Sequence, residues 1–145
     1  MEGSLDTIYR YTEFCVSKTI DNLKGLDSKL GIFIGFSAVL IRLAADLLSP
    51  WFRISVCVLA LLVIVVCAIS LKGSNVGPMA HPSVLMTDKW FQQGGDVHQG
   101  YIISAWIESL EDLDKVIIRK QRNLLLVIFL FSLSVISYGL GVILS

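Results

Sequence analysis

Two stretches of the chain lose their polar positions almost completely. Leu124 to Leu144 reads LLLVIFLFSLSVISYGLGVIL, twenty-one residues without a charge, and Ile54 to Leu71 reads ISVCVLALLVIVVCAISL, also uncharged. A helix of about 20 residues crosses the roughly 30 Å hydrocarbon core of a bilayer. Lipid offers no partner for an unpaired N–H or C=O, so runs this apolar predict membrane-spanning helices. A third candidate span, Leu30 to Leu48 (LGIFIGFSAVLIRLAADLL), is apolar except for Arg42 and Asp46. These two lie four residues apart, hence on one helical face, where they can pair. Two readings stay open for them. Arg42 can snorkel to the far interface beside its partner, or the pair can line a polar seam between helices.

Outside these runs the apolar positions recur with helical spacing. Leu5, Ile8, Tyr9, Val16, Ile20, Leu23 and Leu26 mark an amphipathic helix within residues 1–29, starting near Ser4. After Gly100, residues Ile103, Trp106, Leu110, Leu113 and Ile117 recur at steps of three, four, three and four. That is a heptad seam, flanked by Glu108, Glu111, Asp112, Asp114 and Lys115. No proline interrupts Gln99 to Leu144, so the seam helix is expected to run on into the last span as a rod of about 65–70 Å. The predicted fold is all-α, an integral membrane protein with three transmembrane helices. The divisions are a cytoplasmic amphipathic helix (1–29), a transmembrane hairpin (30–71, spans 30–48 and 54–71), a cytoplasmic loop and heptad helix (72–123), and a third transmembrane helix (124–145).

Charge placement gives the orientation. Three spans put Arg10, Lys18, Lys24, Lys29, Lys72, Lys89, Lys115, Arg119, Lys120 and Arg122 on one side and Arg53 alone on the other, with Arg42 inside the first span. Ten against one is a strong positive-inside bias, so the N-terminus and central segment are expected in the cytoplasm and Ser145 outside. Arg119, Lys120 and Arg122 stand where basic side chains meet lipid headgroups. The first 29 residues have no apolar h-region of a cleaved signal peptide. Composition agrees, with 54% hydrophobic and 17% charged residues, beyond the usual limits of soluble domains. A net charge of zero and the absence of a long basic stripe exclude a nucleic-acid footprint. Cys15, Cys57 and Cys67 have no CxxC spacing and read as apolar filler rather than disulfides or metal ligands.

Glycines and prolines concentrate between Lys72 and Gly100 and forbid one long helix there, although Ser83 to Gln93 has room for a short one. This stretch holds the mixed chemistry: His81, Lys89, Trp90 and His98, with Asp88, Phe91 and Asp96. Lys89 beside Trp90 suits a flat anionic ligand, an ammonium for phosphate and a ring for a base. It equally suits an aromatic anchor at the membrane interface. His98, two residues after Asp96, is either a loop histidine or one oriented by that carboxylate. HExxH, GxSxG and a phosphate-cradling glycine loop are all missing from the sequence, so no enzyme activity and no metal site is expected.

Asp27-Ser28-Lys29 leads into a span with Gly31 and Gly35; then follow a hairpin, a modest cytoplasmic insert, and a charged helix passing through Arg119-Lys120-Gln121-Arg122 into a last span. This arrangement resembles the transmembrane effectors of Pycsar anti-phage defence and, more distantly, the SLATT-type membrane effectors of nucleotide-activated immunity. The resemblance covers nearly the whole chain, with Leu30 where such sequences tend to carry a small residue. It implies a bacterial inner-membrane protein that answers a cyclic pyrimidine nucleotide, cyclic CMP or cyclic UMP, made by a partner nucleotide cyclase. The response is impairment of the membrane. Apart from the resemblance, the seam could face a second copy of itself, so a homo-oligomer in the lipid bilayer is expected. Asp27 and Lys29 carry over as the membrane-insertion motif, and no nucleotide contact carries over. Outside the resemblance, a holin-like protein that perforates without a ligand and an accessory membrane subunit remain open. Among the small residues Gly31, Gly35, Ser37 and Ala38, close helix approach is expected.

Overall fold

In the computed structural model, which describes residues 2–72 and 95–144, every helix is α: α1 (Glu2–Ala44), α2 (Pro50–Leu71) and α3 (Gly95–Ile143). The all-helical expectation therefore holds for the described residues. The chain divides into two compact units, Met1–Leu23 with Ser74–Ile117 and Lys24–Gly73 with Ile118–Ser145.

Several boundaries differ from the sequence reading. The amphipathic leader and the first apolar run are one helix with no break at residue 29, and that helix begins at Glu2 rather than Ser4. It ends at Ala44, short of Leu48. Pro50 keeps the hairpin from being helical throughout, because the residue before a proline is driven out of the helical region, and Ser49 is extended at φ −79°, ψ 118°. The backbone closes the intervening turn with three tight bonds, Ala45 N–H to Arg42 C=O, Asp46 N–H to Leu43 C=O and Leu47 N–H to Ala44 C=O, each 3.2 Å. Pro50 then starts α2, where its missing N–H costs nothing. In α3 the helix starts at Gly95, upstream of Gly100. One exposed glycine inside a helix costs only about 1 kcal/mol and does not stop it.

In the first unit, Thr12 and Val16 of α1 and Ser109 and Leu113 of α3 are buried. The Tyr9 and Trp106 rings meet with centroids 5.0 Å apart. Trp106 and Leu113 are two of the seam positions read from the sequence. Thr12 and Ser109 donate their hydroxyls to the carbonyls of Ile8 and Ala105, both at 2.8 Å, so neither brings an unmet polar group into the contact. The outward side of α1 here is largely polar, with Glu13, Ser17, Lys18 and Asp21 exposed.

The second unit packs all three helices on a heptad pattern. Buried positions are Val56, Ala60, Val63, Cys67 and Ser70 on α2, alternating steps of four and three. On α3, Lys120, Val127, Ser134 and Gly141 are buried at intervals of seven. Leu30, Val63, Cys67 and Val127 form one cluster, closed by Phe33 and Phe131 edge to face at 5.3 Å. Ala44, Leu47 and Val56 form a second with Phe52, Cys57 and Tyr138. Steps of three and four on three facing helices give knobs-into-holes packing.

The outward faces of this second unit are apolar too: Ile32, Phe36 and Val39 on α1, Val58, Leu61 and Val65 on α2, and Leu125, Phe129 and Ile136 on α3 are all exposed. Two helices are long and apolar enough to cross a membrane, Pro50–Leu71 and Gln99–Ile143, and only 28% and 17% of their most apolar stretches are buried. The core helix of a soluble protein hides such a stretch; here most of it faces outward. The Leu30–Ala44 part of α1 is shorter and carries Arg42, and does not reach that standard by itself.

Close approach inside the chain depends on Gly141, not on Gly31 or Gly35. A Cβ at Gly141 would lie 3.0 Å from Phe52 Cβ and 3.3 Å from both methyls of Leu47, whereas Gly31 and Gly35 have nothing within 4 Å. Gly141→Ala is expected to destabilise by about 1–2 kcal/mol through overpacking against a backbone-anchored atom. Gly35→Ala is expected to be neutral or to gain up to about 1 kcal/mol from helix propensity. Denaturant unfolding of the detergent-solubilised protein measures both.

Candidate functional site

Several polar groups of the second unit are buried between its helices. Lys120 on α3 has a side chain only 7% exposed, and its Nζ lies 2.5 Å from Oδ1 of Asp27 on α1, which is 38% exposed. One turn further along α3, Asn123 Nδ2 donates to Ser70 Oγ of α2 at 2.8 Å, and that hydroxyl donates to Val66 C=O at 2.8 Å. Ser134 Oγ donates to Val56 C=O at 3.3 Å and Ser137 Oγ to Ser55 Oγ at 3.1 Å. Ser37 is fully buried, and its hydroxyl has no hydrogen-bond partner among the described residues.

These contacts fall in a fixed order along the helices. Asp27–Lys120 and Ser70–Asn123 mark one end, the apolar belt of Leu30, Val63, Cys67 and Val127 follows, and Ser37, Ser134 and Ser55–Ser137 lie beyond it. The register places Ser37, Ala60 and Ser134 between the two apolar clusters, each seven residues or one heptad step from a cluster member on its own helix. Small side chains at one level let helix backbones approach closely, and of the two hydroxyls there Ser134 bonds across to α2.

Lys120 was expected at the headgroup level beside Arg119 and Arg122. Arg119 and Arg122 are exposed, as that role requires, but Lys120 is buried and paired. The reason is rotational: one residue past Arg119, and two before Arg122, a helix has turned to its packed side. Asp27, carried over as half of an insertion motif with Lys29, is the partner of that lysine, while Lys29 itself is exposed. The pair is an interhelix contact between α1 and α3.

Arg42 and Asp46 pair across 3.7 Å, with side chains 77% and 74% exposed. They stand on the outside of the second unit at the end of α1, so within the chain they line no seam. An ion pair this exposed adds little stability in water. His81, Lys89 and Trp90 lie outside the described residues, as does the short helix expected over 83–93; His98 is in the first turns of α3. Among the described residues no three His, Cys, Asp or Glu side chains gather as a metal site. On the surface of the first unit, Lys115 hydrogen-bonds Asp112 at 3.0 Å, and that bond raises its pKa. No protein-family model, curated protein or solved structure matches this chain.

Removing one member of the Asp27–Lys120 pair has unequal costs, because the lysine is the better buried of the two. Asp27→Leu strands a buried cation and is expected to lose on the order of 3 kcal/mol; Lys120→Met leaves a carboxylate that can turn to solvent and is expected to lose about half as much. The double variant is expected to return close to the parent stability, since an apolar pair of similar volume replaces a desolvated ion pair. Thermal unfolding in detergent followed by circular dichroism reads this cycle.

Proposed function

We propose that this chain is an integral membrane protein of three spans that acts as a bacterial anti-phage effector. In this reading it sits in the inner membrane with its N-terminus and central segment in the cytoplasm and its C-terminus in the periplasm. It impairs that membrane when a partner cyclase supplies a cyclic pyrimidine nucleotide.

The observation that carries the membrane part is the inversion of the second unit, apolar outward and hydrogen-bonded inward. In water that arrangement would expose a broad apolar surface around the whole unit. In lipid it is the stable one. The Leu30–Ala44 segment of α1 counts as a third span because it belongs to the same clusters as α2 and α3 and turns Ile32, Phe36 and Val39 outward. Arg42 and Asp46, near its end, reach the far headgroup region as a snorkelling pair.

The effector part is supported by the order of parts that resembles the Pycsar membrane effectors, and by α3, one helix that bears both the heptad face read from Ile103 onward and the last apolar run. A ligand held by His81, Lys89, Trp90 and His98 could shift the arrangement of such a helix only through unequal affinity for its two states. Self-association is part of this reading, with copies of the chain meeting in the bilayer.

Uptake of a membrane-impermeant dye by growing cells separates the readings. Cells making the protein alone are expected to exclude the dye, and cells making it with an active pyrimidine cyclase to take it up, while an inactive cyclase has no effect. Uptake without any cyclase means ligand-independent perforation of the holin kind. Exclusion under all conditions contradicts an effector.

A further inference from the structure

We propose that the Asp27–Lys120 pair is a latch that keeps water out of the three-helix seam, and that parting it wets the seam as far as the belt formed by Leu30, Val63, Cys67 and Val127. The inference rests on the membrane-embedded reading of the second unit.

Packing alone does not call for these residues. A well-packed apolar pair at the same positions is commonly as stable as a buried ion pair or more so, and the seam is apolar at the corresponding positions one heptad on, at Val127 of α3. What an ion pair adds is two alternatives. Together, the charges neutralise each other at the mouth of the seam, with the lysine 7% exposed. Apart, neither can stay in a dry interior, so each brings water with it. The next groups inward, Asn123 and Ser70, are hydrogen-bonded to each other across α3 and α2 and can take up that water. Cys67 stands one helical turn beyond Ser70, fully buried in the belt. Its thiol is thus a native reporter of whether the mouth of the seam is wet.

The closed seam has a second thiol on the far side of the belt. Cys57 packs against the cluster of Ala44, Leu47 and Val56. A latch at Asp27 and Lys120 controls Cys67 and leaves Cys57 untouched, while general unfolding reaches both.

Reaction with a charged methanethiosulfonate is measured on the full chain in native membrane vesicles without nucleotide. One background keeps only Cys67 (Cys15→Ser, Cys57→Ala), and the other keeps only Cys57 (Cys15→Ser, Cys67→Ala). Asp27→Lys, which opposes two cations, is expected to speed Cys67 modification on the order of tenfold or more by raising the open population, with Cys57 unchanged. The exchange Asp27→Lys with Lys120→Asp is expected to restore protection. Unchanged Cys67 reactivity in Asp27→Lys overturns the proposal, as does equal acceleration of both thiols or failure of the exchange to restore protection. Because no nucleotide enters this experiment, its result is independent of the effector reading. A working latch in a protein that never admits dye leaves the latch standing and the effector reading contradicted.

Discussion

A charge carried on a helix whose outer surface is apolar must find its partner inside the bundle or be returned to water, and Lys120 meets that demand with Asp27. Much of the second unit follows from this one contact. It ties α1 to α3 where both leave their more polar stretches, and it does so across ninety-three positions of sequence. The next polar group along α3, Asn123, is answered by Ser70 of α2. Together the two contacts place all three helices in one register at that end, and the apolar belt of Leu30, Val63, Cys67 and Val127 follows directly. Hydrophobic burial supplies little preference between helices when the surrounding solvent is itself hydrocarbon. In the membrane setting proposed for this unit, directional contacts decide the register.

Packing beyond the belt follows a different rule. Ser37, Ala60, Ser134 and Gly141 are small and fully or almost fully buried. They let backbones draw together, and Gly141 is the tightest case, with Phe52 and Leu47 against the space where a side chain would be. Ser134 bonds a neighbouring backbone, at Val56, and nearby Ser137 another hydroxyl, at Ser55, while the Ser37 hydroxyl has no partner among the described residues. The same unit therefore combines an ion pair at one end, an apolar belt, and small buried residues beyond it. The small residues that face outward, Gly31, Gly35 and Ala38, contribute to none of this within the chain.

The helices themselves were legible because their signals are local: long uncharged runs, Pro50, and the steps of three and four from Ile103 to Ile117. Continuing those steps from Ile117 gives Lys120, Leu124, Val127, Phe131, Ser134, Tyr138 and Gly141 without a stutter, and each of these is buried or half-buried. That extension was the signal that could have found the buried Lys120. It was hidden by composition, since a lysine between two arginines reads as one more headgroup anchor, and only the heptad phase separates it from Arg119 and Arg122. The partner was hidden for another reason. Asp27 belongs with Lys29 when neighbours in sequence are considered, yet its contact comes from a distant helix, and no local pattern reports such pairings. The end of α1 was misplaced because apolarity continues to Leu48 while the backbone tightens into a turn after Ala44. The chemistry expected of His81, Lys89 and Trp90 lies outside the described residues.

In the proposed arrangement the second unit lies in lipid and the chain crosses it three times. Single cysteines placed at Glu13, Ser49, Asp112 and Ser145 in a cysteine-free protein, treated in intact spheroplasts with an impermeant thiol reagent, test it most directly. Labelling of the positions at Ser49 and Ser145, with Glu13 and Asp112 reached only after lysis, is expected. Labelling of all four before lysis, or release of the protein from membranes by alkaline carbonate, would contradict it.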